Sequence, residues 1–115
     1  MKDISHHVRF ELNGTTLVAR ISGEIDHHSA LYVREAIDRE IFARRPKKLL
    51  LELSGVGFMD SSGLGLIMGR YTLMKKLGGE SALLDPSSAI MRIVSLAGLE
   101  RIVRIEYANG AREVK

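Results

Sequence analysis

The chain has 115 residues, with 17 basic and 14 acidic side chains for a formal charge of +3, three Phe, three Tyr, no Trp and no Cys. That length suits one domain around a single hydrophobic core, and the lack of cysteine removes disulfides, thiolate metal sites and a cysteine nucleophile. The near-balanced charge and scarce aromatic rings offer neither a basic face nor a stacking platform, and no apolar run is long enough to span a bilayer, so neither nucleic acid nor membrane is expected as a direct partner.

The opening Met1-Lys2-Asp3-Ile4-Ser5-His6-His7 lacks the apolar centre of a signal peptide, so a soluble, cytoplasmic protein is expected. Residues 1–115 are read as one domain, with 1–7 and 108–115 frayed. Val8, Phe10 and Leu12 alternate with Arg9 and Glu11, which predicts a strand with one buried face. Asn13-Gly14 predicts a hairpin, both turn positions requiring positive φ. A second strand follows from about Thr16 to Ile25, with Leu17, Ala19 and Ile21 on one face, Val18, Arg20 and Ser22 on the other, and Gly23 marking a bend or bulge.

Asp26-His27-His28-Ser29 ends that strand and opens a helix. Its inward stripe is Ala30, Val33, Ile37 and Ile41, with Ala36 and Phe42 at the margin and Arg34, Glu35, Asp38 and Arg39 outward. Arg44 and Arg45 suit the negative end of the helix dipole and Pro46 stops continuation, so the basic run through Lys48 reads as a helix terminus rather than a nucleic-acid patch. His27 and His28 are neighbours in sequence and cannot face one ion as an i, i+4 pair would; a turn, a cap or a partner contact is the expected role, and no metal site is assigned.

The stretch from Leu49 to Gly79 organises the rest. Leu49-Leu50-Leu51-Glu52-Leu53 reads as a central strand covered on both faces, and Ser54-Gly55-Val56-Gly57 as a flexible connection to Phe58 and Met59, which anchor the next turn in the core. From Leu64 the period becomes helical, through Leu64, Ile67, Met68, Tyr71 and Met74, with Leu66, Leu73 and Leu77 beside them, until Gly78-Gly79. Asp60 or Ser61 caps this helix, and Ser62 falls on its first turn, where its hydroxyl can point outward. A phosphate there would meet free N–H groups and a favourable dipole, adding negative charge beside Asp60 without unfolding the helix. Taken alone, Asp-Ser-Ser-Gly before an apolar helix is a plain capping sequence. Gly65 and Gly69 imply close approach to the sheet or to a partner, the sheet being favoured.

If the second and central strands are parallel neighbours, Asp26 and Ser62 leave the same sheet edge. Asp26 then either orients Ser62 or simply caps its own helix. Next come a short strand over Ser81 to Leu84 and a helix capped by Asp85 with Pro86 at its first position, its face being Ile90, Ile93, Val94 and Ala97 up to Gly98. A last strand runs from Ile102 to Tyr107. The predicted order is ββαβαβαβ, an α/β domain with a mixed, mostly parallel sheet and covering helices.

Three stretches carry a resemblance: Phe58-Met59-Asp60-Ser61-Ser62-Gly63-Leu64-Gly65-Leu66-Ile67-Met68-Gly69-Arg70-Tyr71 with Lys76-Leu77-Gly78-Gly79, then Gly23-Glu24-Ile25-Asp26-His27-His28, then Ser95-Leu96-Ala97-Gly98-Leu99. Over roughly Val8 to Tyr107 the chain resembles the anti-sigma factor antagonists, small bacterial STAS domains, and in particular their sporulation branch. The resemblance implies the same fold. It implies a regulatory binding protein, not an enzyme: Ser62 is phosphorylated by an anti-sigma factor that is also a serine kinase, a metal-dependent serine phosphatase restores it, and the unphosphorylated form binds the anti-sigma factor and frees the sigma factor. The partner-binding surface is then Asp26, His27, His28, Asp60, Ser61, Ser62, Gly63, Leu64 and Gly65. ATP is used by the partner and no cofactor is assigned, with weak nucleotide binding left open. Relatives carry a longer terminal segment, so a full final helix is not expected over Ala111 to Lys115.

Two other readings stay open. A serine-dependent hydrolase or transferase would use Ser62 with a nearby histidine, although the Gly-x-Ser-x-Gly elbow is missing and Gly63-Leu64-Gly65 is not followed by the Gly-Lys-Ser/Thr of a phosphate loop. A STAS subunit of a larger sensory complex is the other.

Overall fold

Alternation and turn chemistry produce a hairpin at the start of the chain, where β1 (Val8–Asn13) pairs antiparallel with β2 (Thr16–Ile25) in the computed structural model, which describes residues 7–108. Apart from His7 and Ala108, the segments expected to fray lie outside the described residues, as does the question of a final helix. The hairpin loop is Gly14-Thr15 rather than Asn13-Gly14. Asn13 pairs with Thr16, and only Gly14 has positive φ, at 62°. One positive φ at the first loop position needs glycine there and places no such demand on Asn13.

The chain continues through α1 (His27–Arg44), β3 (Lys48–Met59), α2 (Ser61–Lys76), β4 (Glu80–Leu84), α3 (Ser88–Leu96), a 3-10 turn at Leu99–Arg101 and β5 (Arg104–Glu106), the predicted order. The sheet order is β1-β2-β3-β4-β5, with every pair after the hairpin parallel. Paired positions share a face, so Leu17, Ala19 and Ile21 line up with Leu49 and Leu51 and then Leu83. Against this face lie Val33, Ile37 and Ile41 of α1, Ile67 and Met74 of α2, and Ile90 and Val94 of α3, all in one core cluster. Cutting any of the fully buried Leu or Ile residues to Ala costs about 2–5 kcal/mol.

The opposite face of β3 is covered too, with Glu52 buried and Leu50 half-buried, but it mixes apolar and charged side chains where an apolar cover is expected. Leu50 and Glu52 point there, and Arg20 lies 2.9 Å from Glu11 and 3.9 Å from Glu52 while Lys48 lies 2.7 Å from Glu106. Val18, Ala82 and Leu84 are buried on that side yet lie outside the core cluster. Leu49 and Leu51 face the helices, and the apolar residues of the other face share it with charged side chains.

Ser54–Gly57 is strand, not a flexible connection. β2 runs alongside it, pairing Ser22 with Gly55 and Gly23 with Val56, and Val56 is only 1% exposed. Register shifts between Arg20 and Ser22 and between Gly23 and Glu24 absorb the mismatch, with Gly23 at φ 87°. The glycines therefore serve a bulged strand pair rather than a loop. Met59 is buried as expected, but Phe58 is 49% exposed and anchors nothing.

At the end of α2, Gly78 adopts φ 83°, and the N–H groups of Gly78 and Gly79 donate to Lys75 O at 3.1 Å and Met74 O at 2.8 Å, closing the helix in a Schellman turn. The start of α3 differs from expectation. Ser87, not Asp85, is the cap, its Oγ accepting from Ile90 N at 3.3 Å. Asp85 precedes proline, which disfavours the right-handed helical region, and takes φ 51° while accepting from Ala108 N at 3.0 Å. Of that helix's predicted face, Ala97 is exposed. The last strand shrinks to Arg104–Glu106, because the 3-10 turn takes Leu99–Arg101 and leaves Ile102 exposed while Val103 is buried.

Candidate functional site

β2 and β3 end in register, Ile25 opposite Met59, so α1 and α2 begin side by side at one sheet edge. Asp60 N donates to Ile25 O at 3.1 Å and ties the two starts together. Each helix is capped by an aspartate in extended conformation. Asp26 Oδ1 accepts from Ser29 N at 2.9 Å while Ser29 Oγ accepts from Asp26 N at 3.0 Å, a reciprocal capping box. The backbone N–H of Ser29, then its hydroxyl, hold the Asp26 carboxyl below its ordinary pKa. Asp60 Oδ1 accepts from Ser62 N at 2.8 Å, and Asp60 O accepts from Gly63 N at 2.9 Å. The N–H groups of Ser62 and Gly63 are therefore engaged, against the expectation that a ligand would find them free.

From this edge α1 and α2 run together over the sheet and enclose a groove of about 300 Å³, lined by His27, Ala30, Leu31 and Arg34 from α1 and by Ser62, Gly65 and Leu66 from α2. His27, Leu31, Arg34 and Asp38 follow one line along α1, at the spacing that stacks side chains over successive turns. Ser62 is half-buried, and its hydroxyl has no hydrogen-bond partner among the described residues. Further along, Arg70 Nε lies 2.9 Å from Asp38 Oδ1, an ion pair without hydrogen-bond alignment, and Arg70 Nη1 has no hydrogen-bond partner among the described residues. Burial lowers the Arg70 pKa, Asp38 opposes this, and the nearby charge of Arg34 lowers it further. Arg34 and Arg70 outnumber Asp38 at this level of the helices, while the Asp26 and Asp60 carboxylates stand at the two helix starts.

The expected site residues divide accordingly. Ser62, Gly65 and His27 meet in the groove, and Asp60 supports Ser62 from below through its backbone. Asp26 and His28 lie outside the groove lining, with Asp26 committed to Ser29 rather than to Ser62. Ser61 is exposed at the helix start, and Leu64 is half-buried against the core. Gly63 faces inward, where a Cβ would lie 2.6 Å from Met59 Sδ, so it supports the turn and cannot present itself to a partner. Gly65 and Gly69 would place a Cβ with nothing within 4 Å, so neither approaches the sheet. The buried line of α2 is Gly63, Leu66, Ile67, Arg70 and Met74, rotated from the expected stripe, which leaves Leu64, Met68 and Tyr71 at its margin. Asp38, expected outward, turns to Arg70. Arg34 and Leu31 were not assigned to the site from sequence; their spacing from His27 is the signal that finds them.

Residues 7–110 match the STAS domain family. The chain belongs to that family. Relatives of this STAS domain include an anti-sigma F factor antagonist of Paenibacillus polymyxa, 40% identical over 89% of this chain and 86% of the relative. An anti-sigma-B factor antagonist of Bacillus subtilis is 33% identical over 86% and 89%. Among solved structures, the anti-sigma factor antagonist SpoIIAA in its unphosphorylated form superposes with a TM-score of 0.74 at 30% identity, covering 85% of this chain and 86% of that one. SpoIIAA of Bacillus in its phosphorylated form gives 0.67 at 30% identity, covering 85% and 89%. The mixed five-stranded sheet with three helices is thus the fold of the family.

The named relatives of this STAS domain are regulatory proteins, anti-sigma factor antagonists. A serine nucleophile needs a base in hydrogen-bond reach, an orienter for that base and donors for an oxyanion. His27 shares the cavity with Ser62, but no hydrogen bond joins them, and the N–H groups of Ser62 and Gly63 already serve Asp60. What the site offers is an unpaired hydroxyl at the mouth of a groove, with half-exposed Leu31 as an apolar contact.

Proposed function

We propose that this STAS domain is an anti-sigma factor antagonist switched by phosphorylation of Ser62. The observation that carries the reading is the Ser62 hydroxyl, unpartnered at the groove mouth on the first turn of α2. In the unphosphorylated state the groove face binds an anti-sigma factor serine kinase, which releases its sigma factor to transcription; phosphorylation ends lasting capture, and a serine phosphatase resets the cycle. Solution of the relative SpoIIAA in both phosphorylated and unphosphorylated forms supports a covalent switch on this fold. Higher identity to the anti-sigma F antagonist, 40% against 33% for the anti-sigma-B one, favours a sporulation-type sigma factor as the final target.

The physical effect is local. A phosphoseryl group adds about 1.5–2 negative charges and three acceptor oxygens where a partner side chain would otherwise enter. Asp60 already completes the cap, so the helix start survives the change. ATP is the partner's substrate, the protein acts in the cytoplasm, and no cofactor is assigned to it. The test is to incubate the purified protein with the anti-sigma factor kinase of the same organism and ATP, then map the product by mass spectrometry. One phosphate on Ser62 in the wild type and none in Ser62→Ala is expected. Equal labelling of both proteins, or labelling of neither, overturns the assignment.

A further inference from the structure

We propose that a phosphate on Ser62 is received by α1 of the same chain, with Arg34 as its positioning residue and His27 as a second donor across the groove. Three observations point this way. Ser62 and Arg34 line the same cavity of about 300 Å³ from opposite helices, with His27 at the same end. The N–H groups of Ser62 and Gly63, the usual receptors for an anion on a first helical turn, are taken by Asp60. Finally, Arg34 has no ion pair among the described residues and stands close enough to the buried, Asp38-paired Arg70 to disfavour its charge.

A phosphate attached to Ser62 therefore faces the Arg34 guanidinium across the groove, with the Asp60 cap on its own helix. Arg34 is exposed and its guanidinium can present two parallel donors to two phosphate oxygens. The consequence differs from simple surface repulsion. Phosphorylation fills the groove from within and draws Arg34 over it, so the partner loses both the cavity beside Leu31 and Gly65 and the arginine it would have met.

The inference rests on the reading of Ser62 as a phosphoacceptor, so the test installs the phosphate without the kinase. Phosphoserine is encoded genetically at position 62, and ³¹P NMR follows its second ionisation between about pH 4 and pH 8 in the wild type, Arg34→Ala and Arg34→Lys. The groups around that position are His27, His28, Arg34 and Asp38 on α1 with its Asp26 cap. From α2 come Arg70 and the cap Asp60. Because His27 is the second proposed donor, the series is repeated in a His27→Asn background.

The phosphoserine pKa is expected to lie on the order of half a unit lower in the wild type than in Arg34→Ala, with Arg34→Lys restoring much of the difference. Coincident titrations of wild type and Arg34→Ala, with thermal melts showing both folded, overturn the contact. Kinase labelling of the unmodified protein is scored separately. A shift without kinase labelling sustains the contact and removes its regulatory meaning; labelling without a shift keeps the switch and refutes the role of Arg34.

Discussion

Three glycines on α2 should respond in opposite directions to the same substitution. At Gly63 a Cβ would sit 2.6 Å from Met59 Sδ, 2.7 Å from its Cβ and 2.9 Å from its Cγ. The sulfur can swing away, but the Met59 Cβ is fixed by the β3 backbone, so either the strand end or the helix start must move. Overpacking of this kind costs about 1–3 kcal/mol, and a first-turn position recovers little of it as helix propensity. Gly63→Ala is therefore expected to lose about 1–2 kcal/mol, roughly 4–8 °C in Tm for a domain of this size. At Gly65 and Gly69 the added methyl meets nothing within 4 Å. Each should gain about 0.5–1 kcal/mol, because alanine loses less backbone freedom on entering a helix. Urea melts followed by circular dichroism measure all three. Gly65 also lines the groove, so Gly65→Ala should raise stability while weakening partner capture. A Gly65→Ala protein as unstable as Gly63→Ala, or a neutral Gly63→Ala, would refute the packing account of this helix.

The other expectations concern charge and caps. Asp38→Ala strands Arg70, whose side chain is 8% exposed against 30% for Asp38, and should cost about 2–3 kcal/mol after allowing for the wetter partner, whereas Arg70→Met should cost about 1 kcal/mol or less. A double mutant as unstable as Asp38→Ala alone would contradict that asymmetry, and urea melts of the cycle decide it. Removing the cap of α3 with Ser87→Ala should cost about 1 kcal/mol by the same assay, since its Oγ accepts from Ile90 N and also donates to Val56 O. The Asp26 carboxyl, held below its ordinary pKa by Ser29, contributes stability that is complete above the usual carboxylate range and fades as pH falls through its lowered value. Asp26→Asn keeps a capping oxygen but not the titration, so its Tm should fall less steeply than that of the wild type between about pH 5 and pH 2.

Much of the fold was legible because its signals are local. Alternation in β1, the apolar stripe of α1 and the change of period after Asp60 each identify an element from a few residues, and the parallel placement of β2 beside β3 follows from the crossover. Reading failed where a local signal was overruled by a partner elsewhere. Ser54–Gly57 looks like a loop until a bulged β2 pairs with it. Gly65 and Gly69 suggest contact by their cost to a helix, yet it is Gly63 that packs, against the one Met59 that precedes the same turn. Asp38 is polar on a polar stretch, and nothing before the structure links it to Arg70, 32 positions away. The candidate site divides in the same manner. Ser62 and its Asp60 cap can be read from one tetrapeptide, whereas the opposing wall of Leu31 and Arg34 comes from a helix whose outward residues look like plain solvated surface.

The central claim is that the chemical state of Ser62 decides whether the partner is held. Isothermal calorimetry with the anti-sigma factor kinase of the same organism, in the presence of ADP, compares the unmodified protein with protein carrying phosphoserine at position 62. The account predicts affinity at least about tenfold weaker for the phosphorylated form, about 1.4 kcal/mol or more. Equal affinity for the two forms would contradict it.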